Sequence, residues 1–164
     1  MTLINRSLPH LLSWPDARLA GLTAIPLRLI VGYGFMAHGY AKLAKGPDHF
    51  VGIVNALGLP GAHFFAWATI LVELICGFAV LIGAFVAIAS IPMTAILLVA
   101  IFTVHLPFGF TSIKLLAITP GGPQFGPPGI ECDLLYLACL ASLVFGGSGP
   151  FSVDCILTKW RQKP

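Results

Sequence analysis

The sequence predicts an all-α integral membrane protein, a four-helix bundle with four transmembrane helices and with the N and C termini in the cytoplasm. Composition is the first observation: 57% of the 164 residues are hydrophobic and only 9% are charged, whereas a soluble domain has about 25% charged residues. The second observation is a mean hydropathy of +0.94. The third is that the apolar residues fall into four stretches of roughly membrane-spanning length. We treat the whole chain, residues 1–164, as one domain.

Glycine, proline and charged residues bound the predicted spans. Pro26 lies early in the first span, where a helix tolerates it, and a Lys-Gly-Pro-Asp run at 45–48 ends that span. Residues 83–85 leave room only for a tight turn, so we expect the second and third spans to be antiparallel neighbours. The predicted spans are 20–44, 62–83, 85–106 and 130–147, with outer loops at 45–61 and 107–129.

The segments between and after the spans carry local signals. Apolar residues in loop 45–61 have the spacing of a short amphipathic helix at the membrane surface. The glycine- and proline-rich segment 119–129 predicts neither helix nor strand. After the last span, Ser152 is placed to cap a short terminal helix that has Asp154 in its first turn.

Basic residues predict the orientation, because cytoplasmic loops carry an excess of Lys and Arg. Four spans put both termini on one side of the membrane. No cleavable signal peptide is expected, since prolines and an aspartate interrupt the N-terminal apolar residues, and no basic cluster with interleaved aromatics suggests nucleic-acid binding. The side with the termini holds Arg6, Arg18, Lys159, Arg161 and Lys163, against Lys42, Lys45 and Lys114 on the other.

The first span carries a polar, glycine-rich face. At about 100° per residue, five of its residues lie close to one side of the helix. Ionisable groups inside a membrane segment are costly and seldom face lipid, so this face is expected to pack against other helices and to mark a functional site. The residues are Arg28, Gly32, Phe35, Gly39 and Lys42, with His38 off to one side.

Ionisable residues from several spans are predicted to converge in the outer half of the protein, beneath the glycine- and proline-rich loop. These are His38, Lys42, His105, Glu131 and Asp133, with Glu73 nearer the midplane and Arg28 deeper. We expect Arg28 to form a structural ion pair with Glu73 or Asp154. Simpler roles stay open. Lys42 could be an interfacial anchor, and the acids Glu131 and Asp133 could oppose a helix dipole. Glu73 could form a hydrogen bond that joins two helices, or it could carry a proton.

The candidate cofactor-binding residues are His38, Lys42, Glu73, His105 and Glu131; no catalytic or metal-ligating residue is assigned. A quinone carbonyl or a thiol compound needs a hydrogen-bond donor in an apolar slot with aromatics nearby, and this sequence supplies both. Two histidines on different helices also allow a haem or metal, although their spacing is not fixed and Lys42 disfavours a cation. The cofactor is therefore left open, with a quinone preferred.

The chain resembles the DoxX family of small four-helix membrane proteins. The pieces that carry the resemblance occur in the family's order. They are RLIVGYGFMAHGYAKL at 28–43, LGLP at 57–60, ELICGFAVLIG at 73–83, HLPFGF at 105–110, Glu131 with the apolar helix after it, and GSGPFSVD at 147–154. The residues that match the family pattern are Arg28, His38, Gly39, Lys42, Glu73, His105, Glu131 and Asp154. One departure is the turn after the second span, where such proteins often have Thr-Arg and this chain has Ala84 and Phe85.

The resemblance implies a multi-pass protein of the bacterial inner membrane, associated with an oxidoreductase system. A related branch resembles the large subunit of thiosulfate:quinone oxidoreductase, and other members accompany proteins of redox stress. We therefore expect a membrane subunit that binds a quinone or a thiol or sulfur compound, acting with an enzyme rather than alone. Expected partners are the lipid bilayer, a soluble redox protein and a second copy of the chain. The alternatives are a non-enzymatic anchor for a soluble redox protein, or a small-molecule permease.

Overall fold

A computed structural model describes residues 21–162 of the chain, so Arg6, Arg18 and Lys163, on which the predicted orientation partly depends, lie outside it. A 3-10 turn at Gly21–Thr23 leads into helix α1. The helices are α1 (Ala24–Ala44), α2 (Pro47–Ala56), α3 (Ala62–Ile82), α4 (Val86–Ala100), α5 (Glu131–Gly146) and α6 (Val153–Arg161). The strands are β1 (Leu115–Thr119) and β2 (Gly122–Phe125).

Two helices in the described part of the chain are long and apolar enough to cross a membrane by length and composition. One is α3, and the other is α4 together with the π turn Ile101–His105 and the 3-10 turn Leu106–Phe108 that continue it. Both have a mean hydropathy of 2.3. Helix α1 is as long as α3, with 21 residues each, but α1 carries two basic residues, Arg28 and Lys42, where α3 carries only Glu73. Helix α5 has only 16 residues.

The long helices pack so that α1 and α4 each contact both α3 and α5. Their shared core is apolar, and the outward faces expose large hydrophobic side chains such as Ile91 and Phe102. An apolar exterior around an apolar core is the pattern expected when lipid, rather than water, surrounds the helices. The most buried core residues include Val31, Phe35, Val80, Met93, Leu140 and Leu143.

Helices α1 and α3 cross at a pair of glycines. A Cβ added at Gly32 would lie 2.7 Å from the carbonyl oxygen of Gly77, so any side chain would push the backbones apart. Small residues allow membrane helices this close approach. The predicted polar and glycine-rich face of α1 is indeed its packed face, since Arg28, Phe35 and Gly39 are also buried.

The tight turn predicted between the second and third spans is present. Gly83 and Phe85 have φ values of 71° and 50°, and α4 begins at Val86. The carboxylate of Asp154 accepts hydrogen bonds from the amides of Phe85 and Val86, at 2.7 and 3.1 Å. The C-terminal segment thus supplies the cap that the start of α4 needs.

The prediction of neither helix nor strand for segment 119–129 was wrong for Thr119 and residues 122–125, and residues 126–129 agree with it. Residues 115–125 form an antiparallel hairpin in which Thr119 pairs with Gly122 across a two-residue turn of Pro120 and Gly121. Proline presets the backbone for the first turn position, and Gly122 takes a φ of 112° that favours glycine. Pro120 and Gly121 therefore form the hairpin turn between the mostly apolar β1, LLAIT, and β2, GPQF, which itself contains Gly122 and Pro123.

The expected amphipathic helix in loop 45–61 is α2. Its Val54 is buried against Ala62 and Ala66 at the start of α3. The helix thereby covers the end of the protein that holds Lys42, which we call the Lys42 end. The opposite end, with Arg28, Gly83 and segment 147–154, is called the Arg28 end.

Candidate functional site

A buried ion pair joins α1 to α3. Lys42 Nζ lies 2.6 Å from each carboxylate oxygen of Glu73, and the Glu73 side chain is only 6% exposed. A carboxylate this deeply buried needs a compensating charge or a proton, and the ammonium supplies the charge. Lys42 therefore turns inward to Glu73, which lies near the middle of α3, instead of serving as the interfacial anchor considered from the sequence.

Gly39 makes room for this pair. A Cβ at Gly39 would lie 3.0 Å from Cβ of Glu73 and 2.9 Å from Cγ of Leu74, so α3 packs directly on the bare backbone of α1. Lys42 follows Gly39 by three residues and shares its helix face. The glycine thus sets the short distance over which the lysine reaches the carboxylate.

Helix α2 covers the lysine from the other side. Lys42 Nζ lies 4.9 Å from the centroid of the Phe50 ring, within the range of a cation–π interaction. Between α1 and α2 is a half-open cleft of about 210 Å³. Its walls combine basic and apolar side chains: His38, Ala41, Lys42, Lys45, His49, Phe50 and Ile53.

A second acid–base pair joins α4 to α5 at the same end. Nδ1 of His105 and Oδ2 of Asp133 are hydrogen-bonded at 2.5 Å, and the Asp133 side chain is 9% exposed. His105 is the last residue of the π turn, a feature often found at functional sites. Because Nδ1 is engaged by the carboxylate, Nε2 is the ring nitrogen left to bind a further group.

His38 lies between the two pairs. It is four residues before Lys42 on α1, is exposed at the edge of the helices, and interacts electrostatically with Lys42, Asp133 and His105. The structure therefore brings together four of the five candidate cofactor-binding residues at the Lys42 end. They are His38, Lys42, Glu73 and His105.

Glu131 is engaged by the loop before α5. Its Oε2 accepts a hydrogen bond of 2.9 Å from the amide of Ser112, and the Ser112 hydroxyl donates to the carbonyl of Gly129. Lys114 donates to the carbonyl of Phe108 nearby. Glu131 thus fixes the stem of the β hairpin. The strands themselves pack mainly on each other, and Leu116 and Ile118 of β1 are exposed.

The expected ion pair of Arg28 with Glu73 is not found among residues 21–162, because Lys42 takes the carboxylate. The Arg28 guanidinium instead donates to the carbonyls of Ser148 and Phe151, at 2.8 and 3.2 Å. Asp154 interacts with Arg28 electrostatically, but its oxygens accept hydrogen bonds from backbone amides at the start of α4. Arg28 therefore binds the C-terminal loop through backbone carbonyls.

Phe50, Lys45 and His49 were not among the candidates from the sequence. The signal for them was the amphipathic pattern of loop 45–61. That pattern indicated a short helix, but it did not indicate that this helix packs beside Lys42 of α1. Asp133 was placed near the site without a ligand-binding role, and it is the direct partner of His105. Within residues 21–162, no group of three or more His, Cys, Asp or Glu side chains is arranged to hold a metal ion.

Long apolar helices packed around buried charges are features of a membrane protein, and two comparisons give the family. The DoxX family model matches residues 23–106. The chain is also 32% identical, over 156 residues and 90% of each chain, to the uncharacterized membrane protein Rv3486 of Mycobacterium tuberculosis. The chain belongs to the DoxX family. No solved structure matches it.

Proposed function

We propose that this protein is a four-span subunit of a bacterial inner-membrane oxidoreductase system, and that it binds a quinone head group at the Lys42 end. The observation that carries the proposal is the cleft between α1 and α2, which lies beside two buried acid–base pairs. Reduction of a quinone consumes two electrons and two protons. This end of the protein holds proton-carrying groups next to a small, partly apolar site.

The size and walls of the cleft favour a ring-shaped head group. At about 210 Å³ it is smaller than typical ligand pockets of about 300–1,000 Å³, so it fits one part of a ligand. Phe50 and Ile53 give an apolar surface, and the cleft is not enclosed. A head group can bind there while its hydrophobic tail stays in the surrounding lipid.

Hydrogen-bonding groups have distinct roles in the proposal. His38 lines the cleft and binds a quinone oxygen. The Lys42–Glu73 pair and the His105–Asp133 pair each supply one of the two protons that the reduced ring takes up, and both pairs regain a proton from water. The electrons come from a soluble redox protein that docks on the membrane subunit, so reduction needs both components. A second copy of the chain remains an expected neighbour in the membrane.

Four spans are supported by the packing of α1 and α5 alongside the two helices that meet the length and hydropathy requirement. At 1.5 Å per residue the 16 residues of α5 reach about 24 Å, and neighbouring loop residues extend that length. The placement of both termini in the cytoplasm rests on the basic residues near them in the sequence.

The test is quinone binding by the purified protein in mild detergent. Short-chain benzoquinone and naphthoquinone analogues are titrated by calorimetry into the wild type and into His38→Ala and Glu73→Gln variants. We expect His38→Ala to weaken binding about tenfold, the scale of one lost hydrogen bond with its desolvation cost. His63→Ala is the matched control, because His63 is exposed near the same end but does not line the cleft.

Equal quinone affinity of the wild type and the His38→Ala variant would show that the cleft is not the quinone site. Thiosulfate is titrated in parallel, since an inorganic sulfur anion would bind the basic residues of the cleft without needing its apolar wall. Thiosulfate binding that weakens with added salt, together with no quinone binding, would replace the quinone by a sulfur compound. Mass spectrometry of small molecules and proteins retained through purification identifies the natural ligand and the electron donor.

A further inference from the structure

We infer that α6 is a membrane-surface helix that binds the headgroup layer of a bilayer containing anionic phospholipid. This inference concerns the Arg28 end and is independent of the proposed quinone site. Helix α6 has no buried residue. Its apolar side chains nevertheless form one stripe at the i, i+3, i+4 and i+7 positions of an amphipathic helix: Val153, Ile156, Leu157 and Trp160.

Most of the stripe is uncovered within residues 21–162, although Val153 is partly buried where α6 begins. Ile156 and Trp160 are 52% and 70% exposed. Two basic residues flank the stripe, since Lys159 and Arg161 lie roughly 90–110° to either side of its centre at 100° per residue. Long basic side chains at these angles can reach anionic headgroups while the stripe enters the interface.

The charge of α6 is suited to an anionic surface. Asp154 is the only acidic residue of α6, and both its carboxylate oxygens accept hydrogen bonds from backbone amides at the start of α4. Its negative charge is therefore directed into the protein. Lys159 and Arg161 remain exposed, with no ion pair between residues 21 and 162.

The attachment of α6 fixes its depth. The amide of Asp154 donates a 2.9 Å hydrogen bond to the carbonyl of Gly83, and Gly83 lies between the two helices that can span a membrane. The first turn of α6 is therefore held at the level where those helices end. At this boundary Phe85 and Phe151 are also exposed, and exposed aromatic residues are characteristic of membrane interfaces.

A single-tryptophan protein tests the inference. Trp14→Phe and Trp67→Phe leave Trp160 as the only tryptophan. The full chain is reconstituted at low protein density in phosphatidylcholine vesicles with or without phosphatidylglycerol. We expect acyl-chain-brominated lipid to quench Trp160 and aqueous acrylamide to quench it weakly. Adding Lys159→Gln and Arg161→Gln should lower lipid docking about fivefold for each charge in phosphatidylglycerol vesicles, and Lys45→Gln at the other end should leave it unchanged.

Each other outcome overturns the inference. Strong acrylamide quenching without lipid quenching would show that the stripe faces water. Protection from both quenchers, particularly if it disappears on dilution into more lipid, would show that a second copy of the chain covers the stripe. Lipid quenching that is insensitive to phosphatidylglycerol and to both substitutions would refute the role of anionic headgroups. Because α6 has no buried residue, the variants are expected to fold, and circular dichroism checks this.

Discussion

Removing the lysine of the buried ion pair is the most direct test of the site geometry. In a Lys42→Met variant, Glu73 keeps its place in α3 with a side chain only 6% exposed, but it loses the cation 2.6 Å from both its oxygens. Breaking a buried pair in this way costs about 3–5 kcal/mol. We therefore expect Lys42→Met to lower the free energy of unfolding by an amount in this range.

The opposite variant should be milder. In Glu73→Met the lysine loses its partner, but its side chain is already 21% exposed and is long enough to turn outward to the interface. We expect a loss of about 1–2 kcal/mol, the scale of one broken hydrogen-bonded contact. The double variant removes both charges and should recover most of the stability, because an apolar pair is often as stable as a buried ion pair.

The assay is reversible unfolding in mixed detergent micelles, followed by circular dichroism, on all four proteins of the double-mutant cycle. Lys45→Met is the matched control, because Lys45 is exposed and lies one residue beyond the end of α1. A Lys42→Met variant within about 1 kcal/mol of the wild type, the value of an exposed ion pair, would refute the reasoning. So would purely additive losses in the double variant.

Two further predictions concern packing and capping. Gly32→Ala should lower the free energy of unfolding by about 1–3 kcal/mol, since its new Cβ would meet the Gly77 carbonyl oxygen at 2.7 Å. The control Gly52→Ala, where a new Cβ has nothing within 4 Å, should be neutral or slightly stabilising. Equal effects of the two variants in the same unfolding assay would contradict the close crossing of α1 and α3. Asp154→Ala should lower the free energy of unfolding by about 0.5–2 kcal/mol, because α4 loses its cap. The control Thr158→Ala, on the exposed side of α6, should leave the free energy of unfolding unchanged. An Asp154→Ala protein as stable as this control would argue against the cap.

The helices could be predicted from the sequence because the signals for them are local. The apolar runs, the Gly-containing turn before α4 and the serine cap of α6 act over a few residues, so α3 begins at the predicted residue and Ser152 accepts the hydrogen bond expected of a cap. The family resemblance was confirmed by the comparisons. The hairpin was missed because its Gly and Pro residues signal a turn equally well in a coil and between two strands.

Pairing of the charged groups could not be derived in the same way. Helix depth put Glu73 between Lys42 and Arg28, but only Arg28 was considered as its partner, and Lys42 was interpreted as an interfacial anchor. The choice depends on the crossing of α1 and α3, where Gly39 brings the lysine within reach and the C-terminal loop offers its carbonyls to Arg28. That loop is 120 residues away along the chain, so no local pattern could reveal the contact.

This long separation has a consequence for synthesis of the protein. Arg28 is made with the first long helix, yet the carbonyl of Ser148 that it binds belongs to a residue made 120 positions later. At about 10 residues per second, the ribosome needs roughly 12 seconds to reach that residue. During this interval the guanidinium lacks the carbonyls of Ser148 and Phe151 and must be hydrated or bound by other groups. A chain stopped before residue 148 would therefore keep its first helix without the contacts that join it to the C-terminal loop.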